Sequence, residues 1–302
     1  MKKINILLVA FPILFSACIP KNNKAEEIKP NLKDDYSLST LLPKVNIEGK
    51  IIHRGVFSPD LDEYYYTLSD TNFQNFEIYV LQKNEDSWSA PQLAIFNSRF
   101  DDHGMSFSPD GNSIYFSSTR PVPNNPNTII WQIWKTEKLN GKWSEPEHIN
   151  IPNLRNKFVS HPSLSVSGDL FFHTSETDYS EMSIYHSNQE NGQFTAAEPV
   201  LIENNNPLNN TCTPYVFPDG NVLIYAKIEE HLNLMITLWD NENEYWKTPI
   251  QFDTTINNLG KGNPYMLSDH EHLLFAAEQP QSKNWNIKMV NISYYLYGLN
   301  AN

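Results

Sequence analysis

Basic residues are scarce in this chain of 302 residues. Lys and Arg number 22 against 35 Asp and Glu, a formal net charge of −13. Ordinary nucleic-acid binding needs a basic face and is excluded, and charge-driven adsorption to an anionic membrane surface is disfavoured. Arginine is rarest, present only as Arg54, Arg99, Arg120 and Arg155. Cysteine occurs twice, as Cys18 and Cys212, so stability has to come from the core and not from a disulfide framework. There is no Cys-x-x-Cys, phosphate loop or Gly-x-Ser-x-Gly elbow. After residue 17 no apolar run reaches the length of a membrane span. Charged residues are 19% of the total, too few for a disordered or coiled-coil chain. Aromatics, in contrast, are abundant at 13%, and there are 20 prolines. That mixture favours β structure with many turns.

The N-terminus reads as an address. Met1-Lys2-Lys3 precedes an apolar run over residues 4–15, and Phe15-Ser16-Ala17-Cys18 follows. This is a secretory signal with small residues before the cut. It resembles a bacterial lipobox, with Phe15 where Leu is usual. The resemblance implies that residues 1–17 are removed and that Cys18 carries lipid. The chain is then anchored in the bacterial cell envelope. Ile19 stands where an Asp favours inner-membrane retention, which points to the outer membrane. Residues 18–35 are polar and read as a tether, and residues 36–302 as the folded domain. With Cys18 lipidated, Cys212 has no partner and reads as a small buried residue.

A repeat organises that domain. Ser58-Pro59-Asp60-Leu61, Ser108-Pro109-Asp110-Gly111, Val166-Ser167-Gly168, Phe217-Pro218-Asp219-Gly220 and Leu267-Ser268-Asp269-His270 recur at intervals of about 50 residues. Each is a tight turn: Pro presets φ, Asp bonds its own backbone, and Gly takes the positive-φ position, where Leu61 and His270 are less suitable. The Asp residues therefore read as turn-formers, not catalytic acids. An apolar aromatic run follows each turn, then a further short run, then an element opening with Trp88, Trp143, Phe194 or Trp246. No run suits a helix of three turns. Four short strands per unit, five units long, is the signature of an all-β, single β-propeller of four-stranded blades. Five blades are expected, with six as the alternative. The fifth unit lacks a fourth strand, and residues 36–47 are expected to supply it and close the ring. The opening aromatics are expected to pack between blades.

These residues carry a resemblance. Phe107-Ser108-Pro109-Asp110-Gly111 with the following Ile114-Tyr115-Phe116 looks like the PD40 repeat, the WD40-like propeller repeat of TolB-type proteins. The chain over residues 36–295 is similar to bacterial PD40 lipoproteins. The resemblance implies a periplasmic binding role by analogy of fold.

Propeller ligands bind at the channel mouth, where the innermost strands begin. The candidates there are His53, Arg54, Asp102, His103, His161, Thr213 and Asn263. Imidazoles from separate blades suit a transition metal. His53, His103 and His161 are the residues that could hold one, although no metal or other cofactor is assigned. Arg54, Arg99 and Arg155 precede inner strands and could form an anion cluster. Trp131 and Trp134, three apart in a strand, should face opposite sides. Asp102 is the single acidic mouth residue, with Asp101 expected to point elsewhere. One carboxylate makes no acid/base pair, so no catalytic residue is assigned. The expected function is a membrane-anchored binding or scaffolding module, monomeric, engaging a glycan or protein at the mouth or on a flat face. The alternative is a polysaccharide hydrolase or lyase using a His/Arg/Asp mouth site.

Overall fold

The structure, a computed structural model, describes residues 41–300 apart from 46, 86, 124–125, 127–128 and 280–283. The signal segment, Cys18, the tether and residues 36–40 lie outside the described residues. No helix of the described residues is long and apolar enough to cross a membrane.

The domain is a β-propeller whose five blades are each built on an antiparallel sheet, with short extra strands attached. The first blade runs Lys50–Phe57, Glu63–Asp70, Glu77–Asn84 and Gln92–Leu93 from the axis outward. The second runs Asp102–Phe107, Ser113–Ser118, Gln132–Leu139 and Glu147–His148. The third uses Phe158–Leu164, Leu170–Ser175, Ser183–Ser187 and Glu198–Pro199. The fourth uses Thr211–Val216, Val222–Ile228, Leu232–Asp240 and Ile250–Gln251. The fifth has three strands, Tyr265–Met266, His272–Glu278 and Trp285–Asn291.

Each sheet must bury both faces, and it does so against its neighbours. The core is accordingly divided into five clusters, one per gap between blades. Ring closure is visible in the cluster that joins Phe57, Tyr64 and Tyr66 of the first blade to Leu267, Leu274 and Ile287 of the last. Trp88, Trp143, Phe194 and Trp246 each enter the gap facing the preceding blade. That placement is the one expected of them.

The fourth strand expected from residues 36–47 is not formed by residues 41–45 and 47, which instead lie against the fifth blade by side-chain contact. Leu41, Leu42, Val45 and Ile47 join the closing cluster. Asn286 Nδ2 donates to the Val45 carbonyl at 2.9 Å, and Trp88 Nε1 donates to the Leu41 carbonyl at 3.1 Å. A C-terminal helix, Ser293–Asn300, is an element the repeat pattern does not foretell. Its Tyr295 packs on Phe252 of the fourth blade, and its hydroxyl accepts the Asp253 amide.

The five turns share one geometry. The fourth residue donates its N–H to the carbonyl of the first, at 2.9 to 3.1 Å, and takes positive φ in every case. In the first two turns the Ser hydroxyl donates to the Asp carboxylate at 2.5 Å, which holds Asp60 and Asp110 below the usual carboxylate range. Gly111 (φ 72°) fits this position without cost, whereas His270 (φ 59°) is strained there. A Cβ on Gly111 would also stand 3.0 Å from Pro59 Cγ. His270→Gly should therefore raise Tm by about 1–2 °C, and Gly111→Ala should lower it by about 3 °C. Scanning calorimetry of both variants checks this, since shifts of the same sign contradict the strain argument.

Candidate functional site

Four of the five inner strands slip their register once, at the same place. Ile52 pairs with Leu68 and then Gly55 with Tyr66. The same jump separates His103 from Ser106, Ser160 from Ser163 and Cys212 from Tyr215. Tyr265 of the fifth blade pairs with Leu274, as Tyr215 does with Ile224. The two residues in each bulge are therefore His53-Arg54, Gly104-Met105, His161-Pro162 and Thr213-Pro214, and Asn263-Pro264 stands at the equivalent position of the fifth blade. The register places His53 level with Gly104, His161, Thr213 and Asn263, and His103 one step nearer the mouth.

The bulge re-aims side chains toward the axis. Gly104, His161, Thr213 and Asn263 all have positive φ, between 48° and 61°. For a β-branched residue such as Thr213 this is an outlier, and such strain gathers at functional sites. Gly104 serves His161, because a Cβ there would meet the imidazole at 3.0 Å.

The mouth is a cavity of about 500 Å³. Its floor holds His103, Ser160, His161 and His173. The ring centroids of His103 and His161 are 4.6 Å apart, and those of His161 and His173 are 4.9 Å apart. Ser160 Oγ lies 3.0 Å from His103 Nε2 and 3.1 Å from His161 Nδ1. The Thr213 amide donates to His173 Nδ1 at 3.2 Å. A neutral His173 therefore carries its proton on Nε2 and presents a donor. Around this floor stands an aromatic wall of Phe76, Trp131 and Phe158. Trp131 meets the His103 ring edge-on at 4.1 Å. Phe73, Ile129 and Tyr179 form the rim and are 48%, 74% and 60% exposed. Exposed apolar groups around a concavity mark an interaction site.

His173 was not foreseen, because it lies on a second strand and not an inner one. The signal for the axial set was the recurrence of His161-Pro162, Thr213-Pro214 and Asn263-Pro264. These dipeptides align once the bulge is known.

Several candidates sit elsewhere. Asp102 does not reach the mouth. Adjacent strand residues face opposite sides, and Asp102 turns into the blade. There it accepts from Arg120 Nη2 at 2.8 Å and from the Ser98 amide and hydroxyl at 2.7 and 2.9 Å. The carboxylate that lines the cavity is Asp101, contrary to expectation. One of its oxygens accepts the Phe76 amide at 2.9 Å. The arginine cluster is not formed: Arg54 is fully buried on the axis, while Arg99 and Arg155 are exposed. His53 bonds Ser69 Oγ at 2.8 Å and packs among Phe73, Phe76 and Trp285, apart from the other three histidines. Among the described residues no three His, Cys, Asp or Glu side chains are grouped to hold a metal ion. Thr213 and Asn263 are joined below the floor, the Asn263 amide donating to Thr213 Oγ1 at 3.2 Å. Trp131 and Trp134 do face different surroundings, but both are buried, Trp134 between the first two blades.

The four imidazoles are held neutral. Burial lowers His53 to about 4, and burial with the nearby charge of Arg54 lowers His173 to about 3. His103 and His161 lie well below 6.5, through burial first and then the adjoining imidazoles and Arg54. In the unfolded chain these groups bind protons below pH 6.5, whereas in the fold His53 does so only near pH 4, His173 only near pH 3, and His103 and His161 only well below 6.5. Stability is therefore full above pH 6.5 and falls between there and pH 4, with a slope approaching about 1.4 kcal/mol per pH unit for each histidine. Denaturant unfolding at pH 7, 6 and 5 measures this, and His173→Asn should remove one proton from the slope. Asp102→Ala should cost about 3 kcal/mol by leaving Arg120 unpaired and leave the shape of the mouth unchanged. Equal stability of that variant in urea would contradict the buried-pair assignment.

No protein-family model and no curated protein sequence matches the chain. Solved structures do. A GH43 endo-arabinanase from Bacillus licheniformis superposes with a TM-score of 0.50 at 12% identity, over 82% of this chain and 96% of that one. An α-L-arabinofuranosidase from Podospora anserina, in complex with cellotriose, gives 0.50 at 10% identity, over 82% and 93%. TolB from Acinetobacter baumannii gives 0.49 at 11% identity, and the match spans 80% of this chain but only 54% of TolB. At these identities the likeness establishes the β-propeller fold alone.

Proposed function

We propose that the protein is a glycan-binding module of the bacterial cell envelope, held to the outer membrane by lipid on Cys18, with its ligand seated in the channel mouth. The observation that carries this reading is the pairing of an aromatic wall with a neutral polar floor. Trp131, Phe76, Phe158 and Tyr179 offer flat apolar faces. His103, Ser160, His161 and His173 offer donors and acceptors that keep one charge state across the neutral range. Sugars, with apolar ring faces and many hydroxyls, fit such a surface. The repeats support placing the chain among TolB-type PD40 propeller lipoproteins.

The hydrolase reading is weaker on the same geometry. Glycoside hydrolysis uses two carboxylates flanking the bond, and among the described residues only Asp101 lines the cavity. Ser160 lies between two imidazoles, but no carboxylate orients either of them, so the set lacks the third member that activates a hydroxyl.

A thermal-shift and calorimetric panel of neutral and acidic oligosaccharides and peptidoglycan fragments tests the proposal. A ligand at a hundred times its Kd adds about 2.7 kcal/mol of stability. Tyr179→Ala, at an exposed rim position, should weaken binding about tenfold without changing Tm. A panel that yields no shift at saturating concentration overturns the reading.

A further inference from the structure

The third and fourth blades are joined as no other described pair is. Leu201–Ile202 leaves the third blade and meets Tyr245–Trp246 of the fourth, with Ile202 paired to Trp246. Among the described residues no other gap between blades is bridged by strand pairing. Across the same join Thr248 Oγ1 donates to Glu203 Oε2 at 2.8 Å. Beside it, next to the turns of these two blades, lies a cavity of about 440 Å³ that has no residue in common with the mouth.

One side of this cavity is aromatic. Phe171, Trp239, Tyr245 and Trp246 line it. The Trp246 ring meets Trp239 edge-on at 5.5 Å and Phe171 at 6.0 Å. Its charge is of one sign. Asp169, Glu198, Asp219 and Glu244 line it, and among the described residues no Lys or Arg does. None of the four forms an ion pair with a described residue. Asp169 accepts the Ser167 hydroxyl at 2.6 Å, and Asp219 accepts the Asn221 amide at 3.0 Å. Glu198 and Glu244 have no such partner among the described residues, and both are exposed.

Exposed carboxylates are satisfied by water, so the charge alone would indicate nothing. The second observation is Trp246. It is only 5% exposed, yet its Nε1 donates to no described residue. That N–H is not sealed in the core, as the one of Trp134 is, and the little surface Trp246 keeps opens on this cavity. A buried indole N–H ordinarily has an acceptor. Among the described residues no three acidic or imidazole groups are grouped to hold a metal ion, so the charge suits a larger cation. An ammonium group is attracted both by indole faces and by carboxylates.

We propose that this cavity binds a small organic cation that carries a hydroxyl or carbonyl beside its ammonium group. The ammonium lies against Trp239 and the carboxylates of Glu198 and Glu244, and the neighbouring oxygen accepts from Trp246 Nε1. The site is independent of the glycan reading, since the two cavities share no residue.

The test uses the purified full chain at constant ionic strength in sodium chloride. Ethanolamine is titrated in the millimolar range, with ethylene glycol as its uncharged counterpart, and binding is read by tryptophan fluorescence and Tm. Tm should rise by about 3 °C for each tenfold excess of ethanolamine over its Kd. Glu198→Gln combined with Glu244→Gln, both at exposed positions, should weaken binding by at least about tenfold and leave the Tm of the ligand-free protein unchanged. Trp246→Phe keeps a ring and removes the N–H, and should weaken binding about fivefold. Tyr179→Ala, at the rim of the mouth, should bind ethanolamine as the wild type does. The proposal is overturned if ethanolamine gives no response, if ethylene glycol gives an equal one, or if the double Gln variant keeps full affinity. A response lost in Tyr179→Ala assigns the binding to the mouth and overturns it as well. A protein that binds ethanolamine through Glu198 and Glu244 but takes no oligosaccharide keeps this site and loses the glycan reading.

Discussion

A flat sheet with two apolar faces is insoluble unless both are covered, and in this protein each blade covers the next. The arrangement has no natural end. Four of the five gaps could form in an open arc, but the outer faces of the first and last blades would stay exposed. The contact between Phe57, Tyr64 and Tyr66 on one side and Leu267, Leu274 and Ile287 on the other removes that exposure. It also brings the five inner strands to one axis. The contacts across the axis depend on this closure, because Arg54 of the first blade reaches Pro214 and Pro264 of the fourth and fifth only when the ring is complete.

Closure crowds the axis, and the bulge is how the inner strands adapt. An unbroken ladder would direct alternate side chains into the gaps between blades. One extra residue per strand turns the following side chain or carbonyl into the channel instead. The cost is positive φ at His161, Thr213 and Asn263. The return is a ring of polar groups at one height, with the Arg54 guanidinium beneath and the aromatic wall above. Burial then sets the chemistry of that ring, since imidazoles enclosed beside a cation stay uncharged.

Much of the fold was legible in the sequence because turns and strand runs are local signals. Ser-Pro-Asp-Gly specifies its conformation within four residues, and the aromatics Trp88, Trp143, Phe194 and Trp246 mark the same station in each unit. Less of the site could be read. The bulge shifts register by one residue, and no local feature of His53-Arg54 reveals it. Spacing from the turn chose Asp102 over Asp101 for the mouth, the reverse of what the fold does. What separates them is the position of Arg120, eighteen residues on, whose guanidinium reaches back to Asp102. His173 belongs to the site through the fold of the third blade alone. The C-terminal helix was hidden because it packs by only Tyr295 and Leu296 and lacks a repeat partner.

The prolines at the bulges constrain what the channel can recognise. An inner strand has one edge that no blade pairs with, and in many sheets such an edge recruits an extended peptide by adding a strand. Pro162, Pro214 and Pro264 have no amide hydrogen to offer, and the carbonyls of all three already accept from Ser106 or Arg54. Main-chain pairing is thereby closed off at the third, fourth and fifth blades. Recognition within the channel falls to side chains, which discriminate by the shape and chemistry of a compact group and not by the backbone of a polypeptide.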